Sequence, residues 1–347
     1  MHAIDLAWTT PMLEFISDGT SVVFSSGAAD GPDGDTAPDL WRYTPGDAEP
    51  ERVWANPKRD RQVIRIAGDA GTLAWVDMDA RGRPDWNLWL LPRDASEPVL
   101  LDAHPGDEAI SSLVPSMSVS EDIVAWTAFD KGAEGAVSQL LVARAPSWDP
   151  QVLLQRNAAD AELWLPSILG ASLVFTEVRY TLDHTSDERF VYLTDATDPS
   201  SLRRLDESGR ATMPLVLPGG DVVWKETDPG FNMFNWGKLV RWDRETGAIR
   251  PLTTRWQEYV NYPSVGERFL AAWGSDSYTF AVYDAELAVW RLIDRYPLEQ
   301  HVAVPRVHVG GPLMAWVVIP TIDSDPTPPQ LYWAYLPGAG TSTKPPP

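Results

Sequence analysis

The sequence predicts an all-β fold: a seven-bladed β-propeller of four-stranded blades, its last blade closed by the N-terminal strand. Three observations carry that expectation. An apolar triplet ending in an aromatic residue recurs seven times. A proline and a turn precede nearly every copy. The seventh repeat lacks a fourth strand, and an alternating segment at the other end of the chain can supply one.

The triplets are Val22-Val23-Phe24, Leu73-Ala74-Trp75, Val124-Ala125-Trp126, Leu173-Val174-Phe175, Val222-Val223-Trp224, Ala271-Ala272-Trp273 and Met314-Ala315-Trp316. Their aromatic residues are 51, 51, 49, 49, 49 and 43 positions apart, a period that marks a repeat architecture. Pro11, Pro115, Pro166, Pro214, Pro263 and Pro305 stand 9 to 13 residues before their aromatic, and the second repeat has Ile64-Arg65 there instead. Between the two lies hairpin punctuation such as Ser17-Asp18-Gly19-Thr20 or Pro218-Gly219-Gly220-Asp221. Each repeat therefore starts with strand A, turns, and continues as strand B bearing the aromatic. Strand C is a second apolar stretch, as in Leu88-Trp89-Leu90 or Leu239-Val240-Arg241-Trp242. Strand D is shorter and more polar, as in Arg52-Val53-Trp54 or Ile249-Arg250-Pro251-Leu252. Strands buried on both faces read as continuous apolar runs, and Pro251 suits an edge strand that needs no ladder donor. Radial repetition of such units is a solution to exposed sheet edges.

After Tyr335 the chain runs into Pro337-Gly338-Ala339-Gly340 and ends Lys344-Pro345-Pro346-Pro347, so residues 1–337 read as one propeller domain and 338–347 as a Pro/Gly-rich tail. Ile4, Leu6 and Trp8 alternate at period two, and residues 3–10 are expected to complete the seventh blade.

The net charge of −21 argues against nucleic acid or an anionic membrane as partner, since phosphate contact needs clustered Lys and Arg. The absence of cysteine excludes disulfides and thiolate metal sites. No run approaches the roughly 18 apolar residues of a membrane span, and no signal peptide follows Met1.

Repeat one reads Phe15-Ile16-Ser17-Asp18-Gly19-Thr20-Ser21-Val22-Val23-Phe24-Ser25-Ser26-Gly27, followed by Asp39-Leu40-Trp41-Arg42-Tyr43. It resembles the WD40-like (PD40-type) repeat of TolB-like propellers, with Ser17 where that family's turn has proline. The other repeats keep the proline, the aromatic strand and the third strand but mostly lose the Asp-Gly turn. The resemblance implies the propeller fold, a periplasmic or extracellular setting, and a protein-binding or glycan-active role. Such propellers host both enzymes and adaptors, so fold does not choose between them.

In a propeller the B–C and D–A loops share one face around the channel mouth. Here the B–C loops are acidic nearly throughout. The densest group, Asp30, Asp33 and Asp35, has glycines between its members, which suits the many hard oxygens of a calcium site. His104 and His301 fall in D–A loops and His184 in a B–C loop, an alternative transition-metal set. Oligogalacturonate lyases, a propeller family with a histidine-rich manganese site, are faintly similar at Gln300-His301 but have closely spaced histidines that this chain lacks. Trp86, Trp164, Phe231, Trp236, Trp256 and Tyr259, with Arg255 beside them, are the candidate ligand contacts, because aromatic faces beside charged groups suit sugar rings and protein hot spots. No nucleophile elbow, phosphate loop, dinucleotide fingerprint or His-Glu-x-x-His motif occurs.

The expected function is a non-catalytic binding propeller. It would present an acidic, aromatic-bearing face to a protein or glycan partner, with Ca²⁺ as the candidate cofactor, as a monomeric domain of a larger assembly or chain. The alternative is a metal-dependent polysaccharide lyase or glycoside hydrolase with its site at the channel mouth.

Overall fold

The computed structural model describes residues 2–3, 14–26, 39–58, 61–79, 85–105, 114–133, 135–180, 187–227, 237–252, 260–266, 268–274, 279–295, 302–303, 307–320 and 330–336. They form seven antiparallel blades in a ring, with strands A to D running outward from the axis. Blade one comprises Phe15–Ser17, Val22–Ser26, Asp39–Tyr43 and Glu51–Trp54; blade two, Arg61–Asp69, Thr72–Asp79, Asp85–Leu91 and Val99–Pro105. Blade three is Met117–Ser120, Ile123–Gly132, Gly135–Arg144 and Gln151–Asn157; blade four, Ala161–Leu169, Ser172–Tyr180, Asp187–Asp195 and Asp198–Arg204. Blade five is Ala211–Val216, Val222–Thr227, Gly237–Trp242 and Ile249–Pro251; blade six, Val260–Val265, Phe269–Gly274, Thr279–Asp284 and Val289–Arg295. Blade seven has Val307–Gly310, Leu313–Pro320 and Gln330–Tyr335, with Val302–Ala303 also bridging its second strand.

The fourth place in blade seven is taken from the N-terminus. His2–Ala3 pairs antiparallel with the third strand, His2 opposite Trp333 and Ala3 opposite Tyr332. Closure thus occurs at the start of the segment expected to supply it. Ile4, Leu6 and Trp8 lie outside the described residues.

Alternating side chains of each B strand face opposite neighbours. Val124 and Trp126 pack against Ala74, Val76, Leu88 and Leu90 of blade two. Ala125, between them, packs toward Leu163, Leu173 and Phe175 of blade four. Such clusters recur around the ring, and Phe15, Val22 and Phe24 close it against Leu313, Ala315, Val317 and Leu331 of blade seven. Phe24, Trp75, Trp126, Phe175, Trp224 and Trp316 are all fully buried; the side chain of Trp273 is outside the described set. What each aromatic meets on the preceding blade's D strand varies with its chemistry. Trp126 donates its Nε1–H to Asp102 at 2.8 Å. Trp54, in register with Asp102, tilts against Trp75 with ring centroids 5.3 Å apart. Phe175 has no donor, and the residue in register is Leu154.

Strand A has a ladder partner on one edge only, so N–H groups on its other edge need acceptors. Among the described residues, a side chain from the preceding blade provides one at four junctions. Ser118 Oγ accepts from Ile168 at 3.1 Å, Ser167 Oγ from Val216 at 3.4 Å and Ser264 Oγ from Val309 at 3.1 Å. At the seam between blades seven and one, His308 Nδ1 accepts the N–H of Ser17 at 3.1 Å. The backbones there are in close contact. A Cβ added to Gly310 would fall 2.2 Å from the Ser17 carbonyl oxygen, so glycine is required.

The inner strands also break register near their prolines, between Trp164 and Ser167, Thr212 and Leu215, and Asn261 and Ser264. Proline lacks a ladder donor and is accommodated at such bulges. Leu165 and Met213, each just before its proline, have φ of 51° and 52°, a left-handed conformation costly for residues with a Cβ.

Two outcomes are expected from denaturant or thermal melts. Trp126→Phe should cost about 1 kcal/mol through the lost bond to Asp102, whereas Trp126→Ala should cost about 3–5 kcal/mol as a buried large-to-small change. A cost below about 1 kcal/mol for the alanine variant would contradict the inter-blade packing. At the seam, His308→Ser should keep an acceptor for Ser17, and His308→Ala should lose about 1 kcal/mol. A His308→Ser variant that melts as low as His308→Ala would show that the seam does not depend on an acceptor at this position.

Candidate functional site

The A strands of all seven blades line a central cavity of about 420 Å³. Ser118, Ser167, Ser264 and His308 on its wall are the groups that clasp neighbouring blades.

Blade four is the richest described part of the B–C and D–A face. Trp164 lies on strand A and lines the cavity. Glu162 precedes it by two residues, so alternation places both on the same side of the strand. Tyr180 ends strand B, where the B–C loop departs. One carboxylate oxygen of Glu162, Oε2, accepts both the Trp164 Nε1–H at 2.9 Å and the Tyr180 hydroxyl at 2.8 Å. Burial first, and then the Glu162 carboxylate beside it, push the Tyr180 hydroxyl well above the ordinary tyrosine range, so it stays a donor.

Arginine–carboxylate sets occupy the spaces between and within neighbouring blades. Buried Asp77 accepts from Arg61, from Asn87 at 2.9 Å and from Trp89 Nε1 at 2.8 Å. Buried Glu177 takes Arg156 of blade three at 2.9 Å and Arg179 at 2.8 Å. Arg241 joins Asp221 to Tyr283 of blade six. Asp284 receives Arg268, which holds its carboxyl below the usual range. Each satisfies a charge that would be costly to bury alone.

Lys225 is fully buried on strand B of blade five. Burial, with a smaller contribution from the charge of Arg189, lowers its ammonium to about 7.

The site residues expected from sequence fall into three groups. Trp164 sits at the channel mouth as just described. Trp86 and His104 are 3% and 8% exposed and stack on each other with centroids 5.8 Å apart. Trp86 belongs to the apolar cluster between blades two and three, so it packs rather than offering a face to solvent. Phe231, Trp236, Arg255, Trp256, Tyr259, Asp30, Asp33, Asp35, His184 and His301 lie outside the described residues. Among the described residues no group of three or more His, Cys, Asp or Glu could hold a metal ion. Glu162, Tyr180 and Lys225 were not singled out by sequence, because their neighbours come from other strands.

No family model and no curated protein matches the sequence. Solved structures do. The β-propeller domain of the Trilobed protease from Pyrococcus furiosus, described as having an open velcro topology, superposes with a TM-score of 0.64 at 9% identity over 98% of both chains. Pyrococcus horikoshii acylaminoacyl peptidase gives 0.63 at 10% identity, over 94% of this chain and 51% of that one. An oligogalacturonate lyase in complex with manganese gives 0.56 at 14% identity, over 92% of this chain and 87% of that one. The chain spans about half the length of the acylaminoacyl peptidase. Likeness at these identities establishes the fold: the protein is a seven-bladed β-propeller, the architecture that the TolB-like resemblance implied.

Lys225 supplies a pH test. The unfolded chain holds a proton on this lysine up to about pH 10.4, the folded one up to about 7. Between those values the unfolded state binds more protons, so stability rises with pH. Lys225→Met should raise the melting temperature at pH 7 and flatten the increase between pH 7 and 10. A variant melting lower at pH 7 with the same pH slope would show that Lys225 is charged and well paired.

Proposed function

We propose that the protein is a non-catalytic binding propeller that holds a protein or glycan partner on its B–C and D–A face in a periplasmic or extracellular setting. The observation that carries this reading is the channel wall. Ser118, Ser167, Ser264 and His308 on that wall act as hydrogen-bond acceptors between blades, which commits them to holding the ring. The acidic loops add a negative field that attracts cations and basic surfaces. Ca²⁺ at Asp30, Asp33 and Asp35 is part of the proposal, because three carboxylates among glycines suit a hard cation.

The test is calorimetric and enzymatic. Millimolar calcium should raise the melting temperature, since a ligand that binds only the native state stabilises it by mass action. Changing Asp30, Asp33 and Asp35 to Asn should abolish the rise and leave the metal-free melting temperature in place, because exposed carboxylates contribute little to folding. No shift in the unmodified protein would remove calcium from the proposal. Manganese-dependent release of unsaturated sugars from polygalacturonate would overturn the non-catalytic reading.

A further inference from the structure

Several carboxylates that the blades enclose have arginine partners: Asp77 with Arg61, Glu177 with Arg156 and Arg179, Asp221 with Arg241, and Asp284 with Arg268 and Arg291; buried Asp18 and Asp206 are held within their own turns by Ser21 and Ser208. Glu162 belongs to neither set. It is half-buried, its Oε2 is fixed by two aromatic donors, and among the described residues no lysine or arginine pairs with it. Both bonds go to one oxygen, so among the described residues Oε1 keeps its acceptor capacity. Arg156, the nearest arginine in sequence, is engaged with Glu177, and Arg179, next to Tyr180, with Glu177 and Tyr192. The two neutral donors fix the carboxylate in place without cancelling its charge.

We propose that Glu162, Trp164 and Tyr180 form a seat for one lysine or arginine side chain of a basic protein partner, a reading that rests on the binding function proposed above. The cation that the arginine-paired carboxylates find within the fold would here arrive with the ligand. Its ammonium or guanidinium group would meet Oε1, and its aliphatic stem or planar head would lie on the half-buried Trp164 ring, the geometry of a cation–π contact. Tyr180, held in its protonated form, keeps the carboxylate oriented without competing as a second anion. The position is accessible in the required direction: Trp164 lines the cavity, and Glu162 lies nearer the D–A end of the same strand. The net charge of −21 draws basic partners to the protein, and this seat gives one of their side chains a defined place.

Titration calorimetry with oligo-arginine and oligo-lysine peptides at low ionic strength tests the seat. Glu162→Gln keeps the shape and an oxygen acceptor for both aromatic donors but removes the charge, and should weaken peptide binding about tenfold, a loss of about 1.4 kcal/mol. Trp164→Phe should weaken the arginine peptide more than the lysine peptide, because the guanidinium gains more from the larger ring. Glu97→Gln removes the same charge from an exposed turn on the opposite face and should leave affinity within about twofold, as expected for a screened, distant site. Should Glu162→Gln fail to fold, Tyr180→Phe, which removes one orienting donor, should still weaken binding while the melting temperature stays near that of the unmodified protein. Unchanged affinity in Glu162→Gln, with binding otherwise intact, overturns the seat and leaves the binding reading standing. Absence of any peptide binding by the unmodified protein overturns the proposed basic partner altogether.

Discussion

The structure depends on one requirement: both faces of every blade are apolar, and each must be covered by the next blade. A four-stranded sheet with Val222, Val223 and Trp224 in its middle strand cannot leave either side in water, and an open stack would leave two such faces exposed. A ring leaves none, because Phe24 of blade one packs on Leu313, Ala315 and Leu331 of blade seven as Trp126 packs on blade two. The core is therefore distributed among the junctions. This is how a chain of 347 residues remains one architecture although single cores stop growing at roughly 250–300 residues.

Closing the ring creates a second requirement at its centre. The innermost strands converge, and the edge away from the ladder has backbone donors without strand partners. Ser118, Ser167 and Ser264 satisfy some of these across junctions, and His308 does so at the seam. Blade seven, which this seam joins to blade one, is completed by the pairing of His2–Ala3 with its third strand.

Charge is handled by the same geometry. Strand ends bring carboxylates to the junctions, and arginines from the same or the neighbouring blade meet them. Lys225 lies where burial outweighs stabilisation of its charge, so the neutral amine becomes accessible near pH 7. Glu162 is held by aromatic donors instead, and it sits at the channel mouth. The contrast separates a carboxylate that serves the fold from one with capacity to spare.

The sequence by itself determined the fold. Periodic triplets, prolines and turns are local signals, and a repeat amplifies them sevenfold, so blade number, strand order and the buried aromatics were all legible. Trp164 was legible as a candidate contact because its place in the D–A segment follows from the repeat. What its indole bonds to was not. Glu162 and Tyr180 are 18 positions apart, and only antiparallel pairing of strands A and B makes them neighbours. Trp86 shows the opposite case, since an aromatic at the start of strand C reads as a loop residue until blade three covers it. Local spacing fixes which face a side chain takes within its strand, whereas the adjacent strand and the adjacent blade decide whether that face is buried, paired or open to a ligand.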